Sequence, residues 1–246
     1  MANETWTGWH FLAEGKKLRN GDRRDVIVGE WMAARMPARY PTPTLCESGM
    51  HASRSVIDAL QYAPSPMLCR VELRGQIVDG EDQSTAMERR VLWMVDADKT
   101  LRLFAIWCAE QAIETAEKLS GLTDSDKAAL TAGRECNRVN RLYLDGGASA
   151  DDLGAARSAA RSAAESAARS AARSAARRAA WSAAWSAAWS AAWSAARSAA
   201  RSAARSAARR AARSAARSAA RSAQAAKLDE MCLALAPPDA GAKEEK

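Results

Sequence analysis

The sequence has no run of Leu, Ile, Val or Phe long enough to read as a membrane-crossing helix, so no span is expected. Its first residues, Met1-Ala2-Asn3-Glu4-Thr5-Trp6, lack a basic segment followed by an apolar core, and no secretory leader is expected. Cysteine is sparse and scattered: Cys46, Cys69, Cys108, Cys136 and Cys232 form an odd set without a CxxC, which fits a reducing compartment and not a disulfide framework. Histidine occurs only as His10 and His51. Cys46 and His51 lie five apart, with His10 and Cys69 elsewhere, a spacing that matches no zinc pattern. No metal and no cofactor is expected. Glycine and proline are both missing between Ala155 and Ala236, which removes every strong helix breaker from that stretch.

The formal charge of +7 averages two unlike parts. Residues 154–226 hold 37 Ala, 14 Arg and a single Glu, a net of +13, while the remainder is −6. A mildly acidic globular part is therefore joined to a strongly basic arm.

The globular part reads as α+β. Trp6 to Leu12 alternates as a strand with Trp9 and Phe11 on one face. Val26-Ile27-Val28 is a short β-branched run ending at Gly29, and Pro37, Pro41 and Pro43 make 36–44 a loop. Val56, Ile57 and Leu60 fall at helical spacing behind a capping Ser53 or Ser55, and Pro64 and Pro66 stop that helix. Met67 to Leu73 is a strand that Gly75 to Val78 continues past a bulge. Residues 84–144 read as helical, with Arg90 to Val95 open between helix and strand. Leu103, Ile106, Trp107, Ile113, Ala116 and Leu119 stripe a helix ended by Gly121. Thr123 to Asp126 resembles a capping box, and a second helix runs through Leu142 and Tyr143. The expected organisation is a globular domain over 1–145, a very long Ala-rich helix over 149–236, and a disordered tail over 237–246.

From Arg157 to Arg221 a unit Arg-Ser-Ala-Ala repeats seventeen times in one register, with Glu165 and then Trp181, Trp185, Trp189 and Trp193 replacing Arg. Ala and Arg are strong helix formers, Ser149 to Asp152 can cap the start, and Pro237-Pro238 ends it. One helix of about 85 residues is about 130 Å long. Each repeat advances by about 40° around the axis, so the Arg row spirals and no fixed apolar face exists. That pattern is neither a heptad coiled coil nor an amphipathic membrane helix. Nine Arg–Arg pairs stand four residues apart, each repelling by about 0.2–0.5 kcal/mol, and a polyanion relieves that repulsion. Arg157, Arg161, Arg169, Arg173, Arg177, Arg197, Arg201, Arg205, Arg209, Arg213, Arg217 and Arg221 are the expected nucleic-acid contacts. Each positions a phosphate and reads no base. The four Trp make a local apolar patch for stacking or self-association, hence a homo-oligomer as partner. The alternative is a solvated spacer whose Arg residues keep it soluble.

Four short stretches carry a resemblance. Trp9-His10-Phe11-Leu12, Cys46-x-x-Gly49-Met-His51-Ala-Ser53, Asp58-Ala-Leu-x-Tyr62-Ala-Pro64 and Cys69-Arg-Val-Glu-Leu-x-Gly75 resemble an uncharacterised domain family of phage, prophage and bacterial proteins. Members often carry Ala/Arg/Trp-rich tails. The family's Asp-Lys pair is replaced here by Asp82-Gln83, while Arg90-Val-Leu-Trp93 is close to its usual box. The resemblance covers about residues 6–110 and implies a phage or bacterial context with no activity to carry over; with the cysteine usage, the expected location is the cytoplasm of a bacterial host cell. A second likeness is to ADP-ribosyltransferase-like folds, from an early strand bearing His10, a Gly-apolar-His-Ala-Ser turn and a helix ending at Tyr62. It implies an NAD site with His10, Ser53 and Tyr62 on the cofactor and Glu72 as third residue. His10, His51, Tyr62 and Glu72 are thus the catalytic candidates. The plainer alternative keeps His10 as a structural residue between two aromatics and His51 packing on or capping the helix that follows. The leading expectation is a non-enzymatic interaction protein with a basic helical arm.

Overall fold

The structure, a computed structural model, describes residues 5–18, 22–189 and 217–238. The chain divides into two compact units, Met1–Phe104 with Ser222–Lys246, and Ala105–Arg221. This division does not follow a 145/149 boundary: it cuts inside the first long helix and returns the C-terminal segment to the N-terminal unit.

The first unit is a five-stranded antiparallel sheet with short helices, an α+β arrangement. Its strands are β1 (Thr5–Leu12), β2 (Trp31–Ala33), β3 (Met50–Ala52), β4 (Met67–Asp79) and β5 (Ser84–Asp96). The order is β1-β4-β5-β2, with β3 also paired to β5. β4 and β5 form the central hairpin, closed by the Gly80 N–H on the Gln83 carbonyl at 2.9 Å. Side chains alternate along β4, and Cys69, Val71 and Leu73 are fully buried on one face with Leu12, Val26, Ala52, Ala86 and Val91. Burying each Val or Leu there contributes about 1.5–3 kcal/mol. The expected bulge is present: the register shifts between Arg74 and Ile77, where Gly75 takes φ +84°.

One expectation is corrected here. Residues 84–96 are a strand and not part of a helical stretch. Ser84, Thr85, Ala86, Val91, Leu92 and Trp93 are all buried, so both faces of β5 are covered and no single helical stripe exists. The β-branched run 26–28 lies outside the named strands. Val26 enters the core and Val28 bridges Val91, but the next strand of the sheet is β2.

The helix α1 (Val56–Leu60) is capped by Ser55, whose side chain accepts from the Asp58 N–H. His51 lies in β3 and caps nothing. A C-terminal helix, α5 (217–233), belongs to this unit from residue 222 onward. Leu228 and Cys232, four apart on one helical face, are fully buried. Asp229 Oδ1 accepts from the Val56 N–H at 2.7 Å. The very long helix expected over 149–236 is thus corrected at its far end, where a helix ends at residue 233 and is part of a hydrophobic core. Residues 190–216, across which a continuous helix is expected, lie outside the described residues, as do 239–246 of the tail.

The second unit contains the end of α2 (Asp98–Glu117), α3 (Asp124–Leu144) and α4 (Ala150–Trp189). The capping box of α3 is present, with the Thr123 and Asp126 side chains each on the other's backbone N–H. Glu117–Arg134 and Glu110–Arg141 ion pairs join α2 to α3 in antiparallel order. Ser149 and Asp152 cap α4 in the same reciprocal way. α3 and α4 pack on each other. Leu153, Ala156, Ala160, Ala163, Ala167 and Ser170 are the shielded positions of α4, spaced 3-4-3-4-3. The spiralling repeat therefore does present a straight stripe over its first turns. Three of four repeat positions are small, so the stripe passes from one Ala to the other and then to Ser; the same spacing continued in sequence meets Arg177. Among the described residues no helix is long and apolar enough to cross a membrane.

Candidate functional site

A cleft of about 900 Å³ opens in the first unit, within the size range of small-molecule sites. Residues of β1, the turn after it, the 46–53 segment with β3, the end of α1 and β5 line it. Its floor follows from the register. His10 pairs with Cys69, and Leu73 with Arg89, so His10 and Arg89 share the face of Cys69, Val71 and Leu73.

Arg89 is 5 % exposed and lines the cleft. Its Nη1 donates to the His51 carbonyl at 2.6 Å, which ties β3 to β5. Burial brings its pKa down to about 10, so it remains a cation at neutral pH. The Cys69 thiol interacts with it but carries no charge at neutral pH, because burial pushes its pKa up to about 12. Among the described residues Arg89 has no carboxylate partner.

His51 stands beside it. The ring bonds the Gly49 backbone, and Nε2 is buried without a hydrogen-bond partner among the described residues. Burial first, then the Arg89 charge, lowers its pKa below the usual histidine value, so the ring is neutral at pH 7 and Nε2 presents a lone pair. The turn that delivers it is demanding. Gly49 has φ +106°, and a Cβ there would meet Thr85 Oγ1 at 2.1 Å. Cys46, also at positive φ (64°), exposes its thiol at the rim, where Gln83 Nε2 donates to Sγ at 3.1 Å.

The structure brings three of the candidates together and leaves one out. His10, His51 and Tyr62 all line the cleft, as does Ser53. The buried Ser53 exchanges backbone hydrogen bonds with Trp9, at 2.8 and 2.9 Å, and so fixes the 46–53 segment to β1. The Tyr62 hydroxyl donates to Asp82 Oδ2 at 2.6 Å, and that bond, with burial and the Asp82 charge behind it, raises its pKa to about 12. Glu72 does not line the cleft: it is bonded by its register partner Arg90, with Nη2 at 2.5 Å. Among the described residues no three His, Cys, Asp or Glu side chains gather to hold a metal. Arg89 is the functional candidate absent from the sequence reading. Its signal is an Arg at an alternate position of β5, between Thr85 and Val91, where the pattern calls for a buried side chain.

On the arm, Arg157, Arg161 and Arg169 are exposed, and Glu165 reaches Arg169 at 3.6 Å. Arg217 and Arg221, at the start of α5, are exposed too. The side chains of Arg173, Arg177, Trp181, Trp185 and Trp189 lie outside the described residues, as do Trp193, Arg197, Arg201, Arg205, Arg209 and Arg213 altogether. No family model, curated protein or solved structure matches the chain.

Proposed function

We propose that the chain is a non-enzymatic interaction protein of phage or prophage type, working in a bacterial cytoplasm, whose Arg-rich repeat contacts a polyanion. The observation that supports this is on α4. Its shielded stripe consists of Leu153, Ala and Ser, and the α4 repeat Arg whose side chains are described, Arg157, Arg161 and Arg169, are left to solvent. A helix that packs through its small residues keeps its cations available for phosphate. The four Trp of the repeat supply stacking or self-association in this reading. The experiment is nucleic-acid binding by the full chain beside a variant with the repeat Arg changed to Gln. Gln keeps helix propensity, whereas truncation at residue 150 would strip Leu228 and Cys232 from the core of the first unit. Binding lost in the variant supports the reading, and equal binding refutes it.

A second reading, an NAD-binding enzyme of the ADP-ribosyltransferase-like kind, is favoured by one observation: His10, Ser53 and Tyr62 line a single cleft. The residues fit in part only, because Glu72 is engaged by Arg90 away from that cleft. NAD titration of the full chain, with His10→Ala and Tyr62→Ala, decides it.

A further inference from the structure

We propose that the cleft of the first unit binds a small organic oxyanion, a carboxylate or a phosphate monoester, on the Arg89 guanidinium. In this site His51 Nε2 accepts a hydrogen bond from a hydroxyl or N–H of the same ligand.

Two independent observations meet in one cavity. A guanidinium buried to 5 % exposure has no anion beside it among the described residues, and it lines an open cleft. Burying an unpaired charge is costly, and folded chains resolve it with a partner. One Arg89 donor is used on the His51 carbonyl, and its remaining N–H groups have no partner among the described residues. A fork of N–H donors matches carboxylate and phosphate geometry. Nearby, the buried and unpartnered His51 Nε2 presents the opposite polarity. A cation and an acceptor side by side select a ligand that carries an oxyanion next to a donor.

The other charges of the cleft do not replace the ligand. Asp22 is held by Arg24 through paired contacts of 2.9 and 2.5 Å, with Arg35 at 4.0 Å. Glu47 also lines the cleft and forms no ion pair with Arg89 among the described residues, and Lys17 there is paired with Asp25 at 3.6 Å. Neither Tyr62, Glu72 nor the arm takes part in this site, which is therefore separate from both the nucleotide reading and the polyanion contact.

The test uses the full chain and two sets of probes. One set is citrate, malate and glutamate; the other is inorganic phosphate, glycerol 3-phosphate and adenosine monophosphate, with adenosine and glycerol as uncharged controls. Thermal shift ranks the probes and isothermal titration measures the affinity. The expected result is a rise in Tm with members of one or both sets and none with the controls. Arg89→Met is expected to fold, because it removes an unpaired buried charge, and to weaken binding by at least about tenfold. His51→Phe is expected to weaken hydroxyl- or amine-bearing probes more than inorganic phosphate. Should Arg89→Met fail to fold, the guanidinium ¹⁵N resonances of the wild-type chain, followed during titration, give the same answer. A shift in a slowly exchanging buried arginine supports the site. A response confined to carboxylates, or to phosphates, identifies the source of the oxyanion. Silence from every probe, or equal affinity in Arg89→Met, overturns the proposal and leaves Arg89 as a strut between β3 and β5.

Discussion

Asp229 Oδ1 accepts the backbone N–H of Val56 at 2.7 Å, joining residues 173 positions apart. Val56 opens α1, where backbone N–H groups have no intrahelical partner, so a carboxylate from α5 completes the helix start. The neighbouring Leu228 and Cys232 are fully buried. The C-terminal segment is thereby part of the fold of the first unit.

Asp229→Ala is expected to destabilise the first unit by about 1–2 kcal/mol in denaturant unfolding, as for a lost cap. Asp229→Asn is expected to be close to neutral at pH 7. An amide oxygen still accepts from Val56, and the buried charge is gone. Burial raises the Asp229 pKa, so the ionised form is the one the fold disfavours. Equal losses in both variants would contradict this. Leu228→Ala is expected to cost more, about 2–5 kcal/mol.

Gly49→Ala is expected to lower stability by about 2–4 kcal/mol, from strain at positive φ together with loss of a buried hydrogen bond. The new Cβ would displace Thr85 Oγ1, which donates to the Ser48 carbonyl at 2.8 Å. Gly15→Ala, at φ +80° with nothing within 4 Å of the added Cβ, isolates the backbone strain alone and is expected to cost less. Thermal unfolding of both variants checks the difference.

Acid is expected to weaken the first unit through His51 before its carboxylates titrate. The folded pKa lies below the ordinary 6.5, so the unfolded chain binds a proton first as pH falls. Stability is therefore present above about pH 6.5 and declines as pH drops through that value toward the lowered one. His51→Gln is expected to flatten unfolding free energy across this window. A wild-type profile that rises on acidification there would contradict the assignment.

The parts of the fold that were legible are those set by local pattern. β1 and β4 show in alternation, the β4 bulge in Gly75, and the starts of α3 and α4 in Thr123-Asp126 and Ser149-Asp152. β5 was not legible. Glu88-Arg89-Arg90 resembles a helix surface, and only pairing with β4 reveals Arg89 opposite Leu73. β2 and β3 span three residues each, too short for a period to appear. The docking of α5 depends on Leu228 and Cys232 meeting a partner far away in sequence. At the site, the Cys46–Ser53 box contains His51, and His10 and Tyr62 line the same cleft. Glu72 lies on β4, which contributes no lining residue to the cleft, and is bonded by Arg90; the buried guanidinium of Arg89 is recognised only once burial is known.

The decisive measurement for the proposed function is a salt titration of duplex DNA and single-stranded RNA binding by the full chain and its repeat Arg→Gln variant. Charge-driven contact predicts a linear fall of log K with log salt, with a slope of about −0.9 per phosphate neutralised on B-DNA. Each Arg removed is expected to reduce that slope by about one. A slope unchanged in the Arg→Gln chain, or no binding by either chain at low salt, would contradict the polyanion reading and leave the repeat as a solvated spacer.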